Sequence, residues 1–384
     1  MRIAHVITRM IIGGAQENTL FNCQDLISDY GDEVLLITGP ALGPEGDLLG
    51  QGRAHEVPIE LIDSLRRPIH PWRDWVAARA LKRVLRSFQP DVVHTHSAKG
   101  GLIGRAVAWS LGVPAVVHTI HGAPFHDYQN AAARRFFIGC ERWAARRCHR
   151  MISVADAMTE LMVNESVAPR SKFTTIYSGM DVEPFLAARE NREKQRRELG
   201  LADEHVVIGK VARLFHLKGH EDLVRAAPSV VTAFPQVRFL LVGEGILREP
   251  LLQLMNDLGV RENFVLTGLV PPQQVPRLMG AMDALVHTSY REGLARALPQ
   301  AFLSGIPAIS YDVDGAKEVV LDGETGFLVS PADISQLAER LIQICCDFEL
   351  RQAQGRAGRQ KFTDQFRHQT MTRQIRDVYS ELLR

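Results

Sequence analysis

The chain has 384 residues, 46% hydrophobic and 23% charged, with a net charge of +1. That length exceeds what one ordinary hydrophobic core serves, so two domains are expected. The near-neutral balance excludes a chain that is basic throughout, as a general nucleic-acid binder would be, and no apolar run reaches the ~18 residues of a membrane-spanning helix.

The chain opens with "MRIAHVITRMIIGGAQ" (1–16), a short apolar run ending in Gly-Gly with no small-residue cleavage site. It reads as the first strand of a fold rather than a secretory leader. "EVLLIT" (33–38), "DVVHTH" (91–96), "AVVHTI" (115–120), "RMISVA" (150–155) and "KFTTIYS" (172–178) read as further strands. Amphipathic helices such as "HPWRDWVAARALKRVLRSF" (70–88) and "NAAARRFFIGCERWAARRC" (130–148) lie between them. Near-continuous apolar strands alternating with helices imply a parallel sheet covered on both faces. From Arg66 to Arg150 there are roughly fifteen Lys/Arg against about four Asp/Glu, a local basic excess. The pattern then pauses in "EPFLAARENREKQRRELGLADEH" (183–205), and the connection between domains is placed near Pro184. Alternation restarts with strands at 206–212, 237–243, 263–268, 283–289, 307–310 and 326–329, and the chain ends in one more amphipathic helix. Cys23, Cys140, Cys148, Cys345 and Cys346 form no C-x-x-C pair, which points to reduced thiols and a cytoplasmic setting.

Two doubly wound α/β domains present ligand sites at the carboxyl ends of their strands. At the first such end, "GGAQ" (13–16) opens a helix whose free N–H groups could face an anion, or it is a plain strand-to-helix turn. Neither it nor "VGEGIL" (242–247) matches G-x-G-x-x-G, which disfavours a nicotinamide enzyme. Arg213 and Lys218, in "VARLFHLKGHEDLV" (211–224), leave the first strand of the second domain as a candidate diphosphate seat. In "TSYREGLARALPQAFLSGIPAIS" (288–310), Glu292 follows a strand and a helix is expected from about Leu294. Over eight residues of helix, ~12 Å, Glu292 and Gln300 could touch the two ends of one extended ligand. The N–H groups of Gly293 to Arg296 would lie between them. A sugar joined through a diphosphate to a nucleoside has that layout.

Together these elements carry a resemblance. "GGAQ", "HTHSAKGGLIGR" (94–105), "HTIHG" (118–122), "YSGMDVEPF" (177–185), "VARLFHLKG" (211–219), "VGEGILR" (242–248), "VLTG" (265–268) and "REGLARALPQAFLSGIPAIS" (291–310) follow in order over nearly the whole length. The chain resembles the family 4 retaining glycosyltransferases of the GT-B fold, which has two Rossmann-like domains facing each other across a cleft. The resemblance implies an acceptor-binding domain over 1–184, with the C-terminal helix of about 364–384 packed back on it. A nucleotide-sugar-binding domain over 185–363 would follow. It implies transfer of a sugar, expected to be UDP-linked, to a glycan or lipid-linked acceptor with retention, without a metal or other cofactor. Arg213 and Lys218 would bind the donor diphosphate, Glu292 the transferred sugar and Gln300 the ribose. Gly14, Gly243, Glu244, Leu266, Gly293, Leu294 and Ala295 would line the donor, Gly13 and Lys99 the acceptor. His121 would stand near the reacting bond, counted with Arg213, Lys218 and Glu292 as catalytic. Gln300 stands where the family's second Glu of E-x(7)-E should be. An amide meets the ribose with one acceptor oxygen and one donor group, where a carboxylate accepts from both hydroxyls. Ala295, Pro299 and "YSG" also depart from the family pattern.

Two alternatives share this architecture: a UDP-sugar epimerase, which would need carboxylates on both sides of the sugar, and a sugar-nucleotide-binding scaffold. His94, His96, His118, His121 and His126 cluster near strand ends, but no carboxylate or cysteine completes a ligand spacing. Asp312 and Asp314 form D-x-D before a helix expected at Ala316–Val320, where turn chemistry is the simpler reading. Glu318 is read as a structural acceptor on that helix. Arg134, Arg135, Arg142, Arg146 and Arg147 could rest on an anionic membrane surface, giving peripheral association at the inner face of the cell membrane. A core helix with a solvated basic face fits as well. No nucleic-acid partner is expected.

Overall fold

A computed structural model describes residues 1–42, 46–50, 56–126 and 129–384. It divides into two units, Met1–Met180 with Gln365–Arg384, and Asp181–Asp364. The division falls a few residues before Pro184, and the chain's last segment belongs to the first unit.

Among the described residues, the first unit holds a parallel sheet of β1 (Arg2–Arg9), β2 (Glu33–Gly39), β3 (Ile59–Leu61), β4 (Val92–His96), β5 (Ala115–Ile120), β6 (Arg150–Ser153) and β7 (Phe173–Thr175). Their order is β3-β2-β1-β4-β5-β6-β7. Alternation along β1 sends Ile3 and Ile7 to one core and Ala4 and Val6 to another, so both faces of the sheet are covered. The β3 edge strand is not legible in the sequence because its three exposed residues, Ile-Glu-Leu, are too short a run to establish a period.

The C-terminal helix His368–Leu382 belongs here because its apolar stripe (Met371, Ile375, Val378 and Tyr379) completes the Ile3 core. Polar contacts fix its register. The buried carboxylate of Asp25 accepts from Thr372 Oγ1 (2.8 Å) and pairs with His368 Nδ1 (2.8 Å), while Arg376 Nε donates to Asp32 Oδ2 (2.8 Å).

The second unit holds β8 (Val206–Val211), β9 (Val237–Val242), β10 (Phe264–Gly268), β11 (Ala284–His287), β12 (Ala308–Tyr311) and β13 (Gly326–Val329). These strands are also all parallel, in the order β10-β9-β8-β11-β12-β13. Helices His220–Ala233 and Ile334–Cys346 contribute Val224, Val230, Leu337 and Leu341 to a core with Phe239 and Tyr311. The strands read from sequence reappear within one to three residues at each end, since short buried strands bounded by turns leave little freedom in register. Among the described residues no helix is long and apolar enough to cross a membrane.

Candidate functional site

The order of the second sheet reverses at β8, with β9 on one side and β11 on the other. Ligand crevices of open α/β sheets lie beyond the carboxyl ends of the strands at that point. After β8, the exposed Arg213 places its guanidinium 5.0 Å from the centroid of the Phe215 ring. The chain turns through Leu217 and Gly219, with φ of 64° and 61°. A Cβ at Gly219 would lie 2.0 Å from the Thr288 carbonyl oxygen, so this close approach requires glycine. The turn delivers Lys218 to Glu292, and the two form an ion pair with side chains 22% and 24% exposed. His287 Nε2 stands 3.6 Å from the same carboxylate oxygen. Burial works to raise the Glu292 carboxyl, but His287 and the Lys218 ammonium outweigh it and hold it down at about 2.

Under this pair lies Lys210, fully buried on β8, with Nζ donating to Thr288 Oγ1 (2.9 Å). Thr288 Oγ1 in turn donates to the Gly219 carbonyl (2.5 Å). Burial, and then the nearby Lys218 charge, pushes the Lys210 ammonium down to about 7. His220 is 1% exposed and is pushed down to about 2 by burial first and by Lys210 next. Neither of its ring nitrogens has a hydrogen-bond partner among the described residues, and the buried Ser289 Oγ has none either. Lys210, His220 and His287 escaped the sequence reading. A lysine inside the apolar run "VVIGKVA" was the one signal that could have flagged the first; the histidines join the site only through strand pairing.

The segment from 288 to 296 corrects an expectation. The helix begins at Ala297, not near Leu294, and ends at Leu303. Pro299 is its third residue. Proline has no N–H to donate to a residue four positions back and clashes with that carbonyl, so it is tolerated in a first turn and bars an earlier start. Glu292, Gly293, Leu294 and Ala295 therefore sit in irregular chain, and Glu292 and Gln300 do not share one helix. What fixes the segment is Asp314, the second acid of D-x-D. In the left-handed region itself (φ 47°), it accepts from the Glu292 N–H at 2.6 Å, and Gly315 N–H donates to the Gly293 carbonyl at 3.2 Å. Asp314 opens a 3-10 turn, Asp314–Glu318, where the sequence reading had a helix at Ala316–Val320. Gln300, half-buried, lies one turn into the helix.

Two more candidates follow β9. Gly243, at φ 141°, brings its backbone so near Ala212 that a Cβ would fall 2.2 Å from that carbonyl oxygen. Its N–H donates to the Gly268 carbonyl (3.1 Å), tying the ends of β9 and β10. Glu244 pairs with Arg248 (3.1 Å), and Leu266 is half-buried on β10. The candidates after β8 and β9, the segment after β11 and the end of β10 thus share one edge of the second sheet.

The Lys210 ammonium gives a stability prediction. The unfolded amine holds its proton to about 10.5 and the folded one to about 7. Between those values the unfolded state binds more protons, so stability rises with pH, and the full penalty is present below about 7. Lys210→Met should therefore stabilise the second unit by on the order of a few kcal/mol below pH 7, with the gain fading toward pH 10. Thermal melts at pH 6 and pH 9.5 check this; an equal gain at both would leave packing rather than charge as the cause.

In the first unit the reversal lies at β1, between β2 and β4. Gly13 precedes the helix Gly14–Ser28 in extended conformation. Lys99, in the first turn of the helix Ala98–Ser110, is ion-paired to Asp74 at 2.7 Å and donates to the Pro68 carbonyl. His121 follows β5, with Nε2 3.2 Å from His96 Nδ1. The sequence cluster gains a member, His5, because parallel pairing sets His5 beside His94. His5, His94 and His96 offer nitrogens within 4.8 Å of one another. These nitrogens are largely committed: His5 Nδ1 pairs with His96 Nε2 (3.0 Å), and His94 contacts Tyr379 Oη (2.5 Å) and Thr119 Oγ1 (2.7 Å). Burial lowers the pKa of all three, keeping them neutral. His118 faces Thr95 instead, with Nδ1 2.9 Å from Oγ1. On the helix Ala131–Ala145, Arg134 pairs with Glu165 (2.5 Å) and Arg142 holds the Glu165 and Ser166 carbonyls. Past its end Arg147 caps the Trp143 ring at 3.8 Å, while Arg135 and Arg146 are exposed.

Residues 12–184 match the family model of Glycosyltransferase Family 4, and residues 191–361 match that of Glycosyl transferases group 1. Among curated proteins, the chain is 28% identical to UDP-Gal:alpha-D-GlcNAc-diphosphoundecaprenol alpha-1,3-galactosyltransferase of Escherichia coli, over 100% of this chain and 97% of that one. It is 23% identical to the capsular polysaccharide biosynthesis glycosyltransferase CapM of Staphylococcus aureus, over 86% of each. Among solved structures, Anabaena Alr3699/HepE in complex with UDP superposes with a TM-score of 0.84 at 21% identity, over 99% of this chain and 100% of that one. WaaG, a glycosyltransferase involved in lipopolysaccharide biosynthesis, does so with 0.74 at 18%, over 98% and 99%.

Proposed function

The chain belongs to the family 4 glycosyltransferases and has the GT-B fold, and on that premise we propose that it moves a sugar from a UDP-linked donor to a lipid-linked glycan, with retention and without a metal. The observation that carries the donor assignment is the gathering of Arg213, Lys218 and Glu292 at the reversal point of the second sheet. The UDP complex of the Anabaena structure and the UDP-galactose donor named for the Escherichia coli relative support the same nucleotide. That relative's acceptor, a diphosphoundecaprenol-linked sugar, supports a lipid-linked one here.

In this reading Lys218 exchanges its partner when the donor arrives, turning from Glu292 to the diphosphate, where Arg213 joins it. Glu292, ionised and fixed by the Asp314 clamp on its own N–H, then accepts hydrogen bonds from hydroxyls of the transferred sugar. Gly243, Glu244 and Leu266 border the nucleoside, and Gln300 meets the ribose. Gly13, Gly14, Lys99 and His121 lie in the first unit, which this reading assigns to the acceptor. The acceptor oxygen attacks the anomeric carbon on the face the phosphate leaves. The bond to the phosphate oxygen breaks, and that oxygen takes the acceptor's proton. No protein base is required; what lowers the barrier is cationic stabilisation of the departing diphosphate.

Calorimetric titration with UDP, GDP and ADP, without and with magnesium, tests the proposal. UDP should bind most tightly and be indifferent to magnesium; no binding of any of the three to folded protein overturns it. Gln300→Glu should tighten UDP by about tenfold, because a carboxylate accepts from both ribose hydroxyls. Unchanged affinity in that variant would remove Gln300 from the ribose.

A further inference from the structure

Beneath the candidate donor site lies an amine that the proposed reaction does not use. Lys210 stands on β8 between Gly209 and Val211 and is completely buried. An ammonium carries three N–H groups, yet among the described residues only Thr288 Oγ1, at 2.9 Å, receives one. Thr288 donates its own proton to the Gly219 carbonyl (2.5 Å), in the turn that presents Lys218. A charge buried with a single partner is costly, and packing does not require it, since a methionine fills a similar volume.

The charged and titratable groups facing Lys210 come from three elements. The turn after β8 brings Lys218, a second cation. The start of the helix His220–Ala233 brings His220, Glu221 and Asp222, and β11 with the chain after it brings His287 and Glu292. Two of the three carboxylates are already engaged. Asp222 accepts from Tyr290 Oη (2.5 Å) and Tyr311 Oη (2.8 Å), and Glu292 is paired with Lys218. Burial lowers the pKa of both histidines, so neither adds charge near neutral pH. The amine is therefore poised: burial and Lys218 disfavour its proton, while the carboxylates favour it.

A diphosphate changes that balance. When Lys218 turns from Glu292 to the ligand, negative charge is added beside Lys210 and the Glu292 carboxylate loses its countercharge. Both changes favour a protonated amine. We propose that Lys210 is a positioning residue of the donor seat, neutral at pH 8 while the seat is empty, which takes one proton from solvent when the diphosphate arrives. It does not touch the ligand. Its charge appears in a layer closed to water, where it is little screened, and through Thr288 it holds the turn that aims Lys218. The inference rests on the glycosyltransferase reading and deepens it by making donor binding and proton uptake one event.

The test is calorimetric titration of the full chain with UDP at pH 8, well above the ~6 at which a terminal phosphate takes its second proton. It is run in HEPES and in Tris, which give up protons with different heats, so the difference in binding enthalpy counts the protons taken up. The unmodified protein should take up about 0.8 proton per UDP. Its UDP affinity should fall by about fivefold from pH 8 to pH 9, because the complex loses the extra proton as pH rises. Lys210→Met should take up none, bind UDP about tenfold more weakly at pH 8 and show no such pH dependence. A merely structural role for Lys210 would alter affinity without altering the proton count. UDP binding to the unmodified protein without proton uptake overturns the inference and leaves the glycosyltransferase reading standing. So does uptake that persists in Lys210→Met, which would assign the proton to His287 or His220. Failure of UDP to bind the folded, unmodified protein overturns the glycosyltransferase reading, and this inference with it.

Discussion

Lys218→Ala should lower the rate of sugar transfer by about two to three orders of magnitude, the range seen when one preorganised group facing developing transition-state charge is removed. The argument starts from a backbone that spends effort to place this side chain. Leu217 and Gly219 both take left-handed conformations, and Gly219 lies so close to Thr288 that no other residue fits. The ammonium is partly desolvated against Glu292, so it meets a diphosphate with little competition from water. Alanine removes the cation and leaves the turn intact, so the variant should fold and melt near the unmodified protein. Arg213 and the remaining site would still bind donor weakly, so kcat should fall more than KM rises. Full activity in the variant would end the role assigned to Lys218. Lys218→Arg is a useful companion: it keeps the charge but not the compact geometry, and partial recovery is expected.

Arg105→Ala should cost the first unit about 3–5 kcal/mol, which for a unit of this size is a fall of about 10 °C in Tm. Arg105 is entirely buried, with Nη2 donating to Glu141 at 2.9 Å and Nε to the Gly101 carbonyl at 2.9 Å. Glu141 is itself 5% exposed in the pair. Truncating the arginine leaves a carboxylate buried with no countercharge, and that, rather than the worth of the pair, dominates the loss. The double variant Arg105→Met, Glu141→Leu should melt within a few degrees of the unmodified protein, because two apolar side chains of similar volume need no pairing. Thermal denaturation of the three proteins decides. A double variant as unstable as the single one would mean that Arg105 matters for its shape or its Gly101 bond and not for charge balance.

Much of the fold was legible because the strands are buried on both faces and read as apolar runs punctuated by Gly and Pro. β5 matches its expected range residue for residue, and β11 and β12 fall within three. The edge strand Ile59–Leu61 was not legible, since three residues are too few to set a period. At the candidate site, Arg213, Lys218 and Glu292 stood out as charged residues just beyond apolar strands. The following helix starts later than apolar periodicity suggests, because Pro299, a departure from the family pattern, lacks the N–H that an earlier start would need.

The two parallel α/β halves, the strand ends that bear charge and the resemblance that orders them are legible along the chain, because period, punctuation and motif spacing are local properties. Which of these residues meet is set by the folded arrangement. Asp314, twenty-two residues on, clamps the backbone of Glu292. His5 stands beside His94 through parallel pairing, and Lys210 lies beneath the Lys218–Glu292 pair. The final helix returns to the first unit through Asp25, Asp32 and His94. These contacts join residues far apart in the chain, and burying several polar groups together shifts their charge states in ways no window of sequence contains.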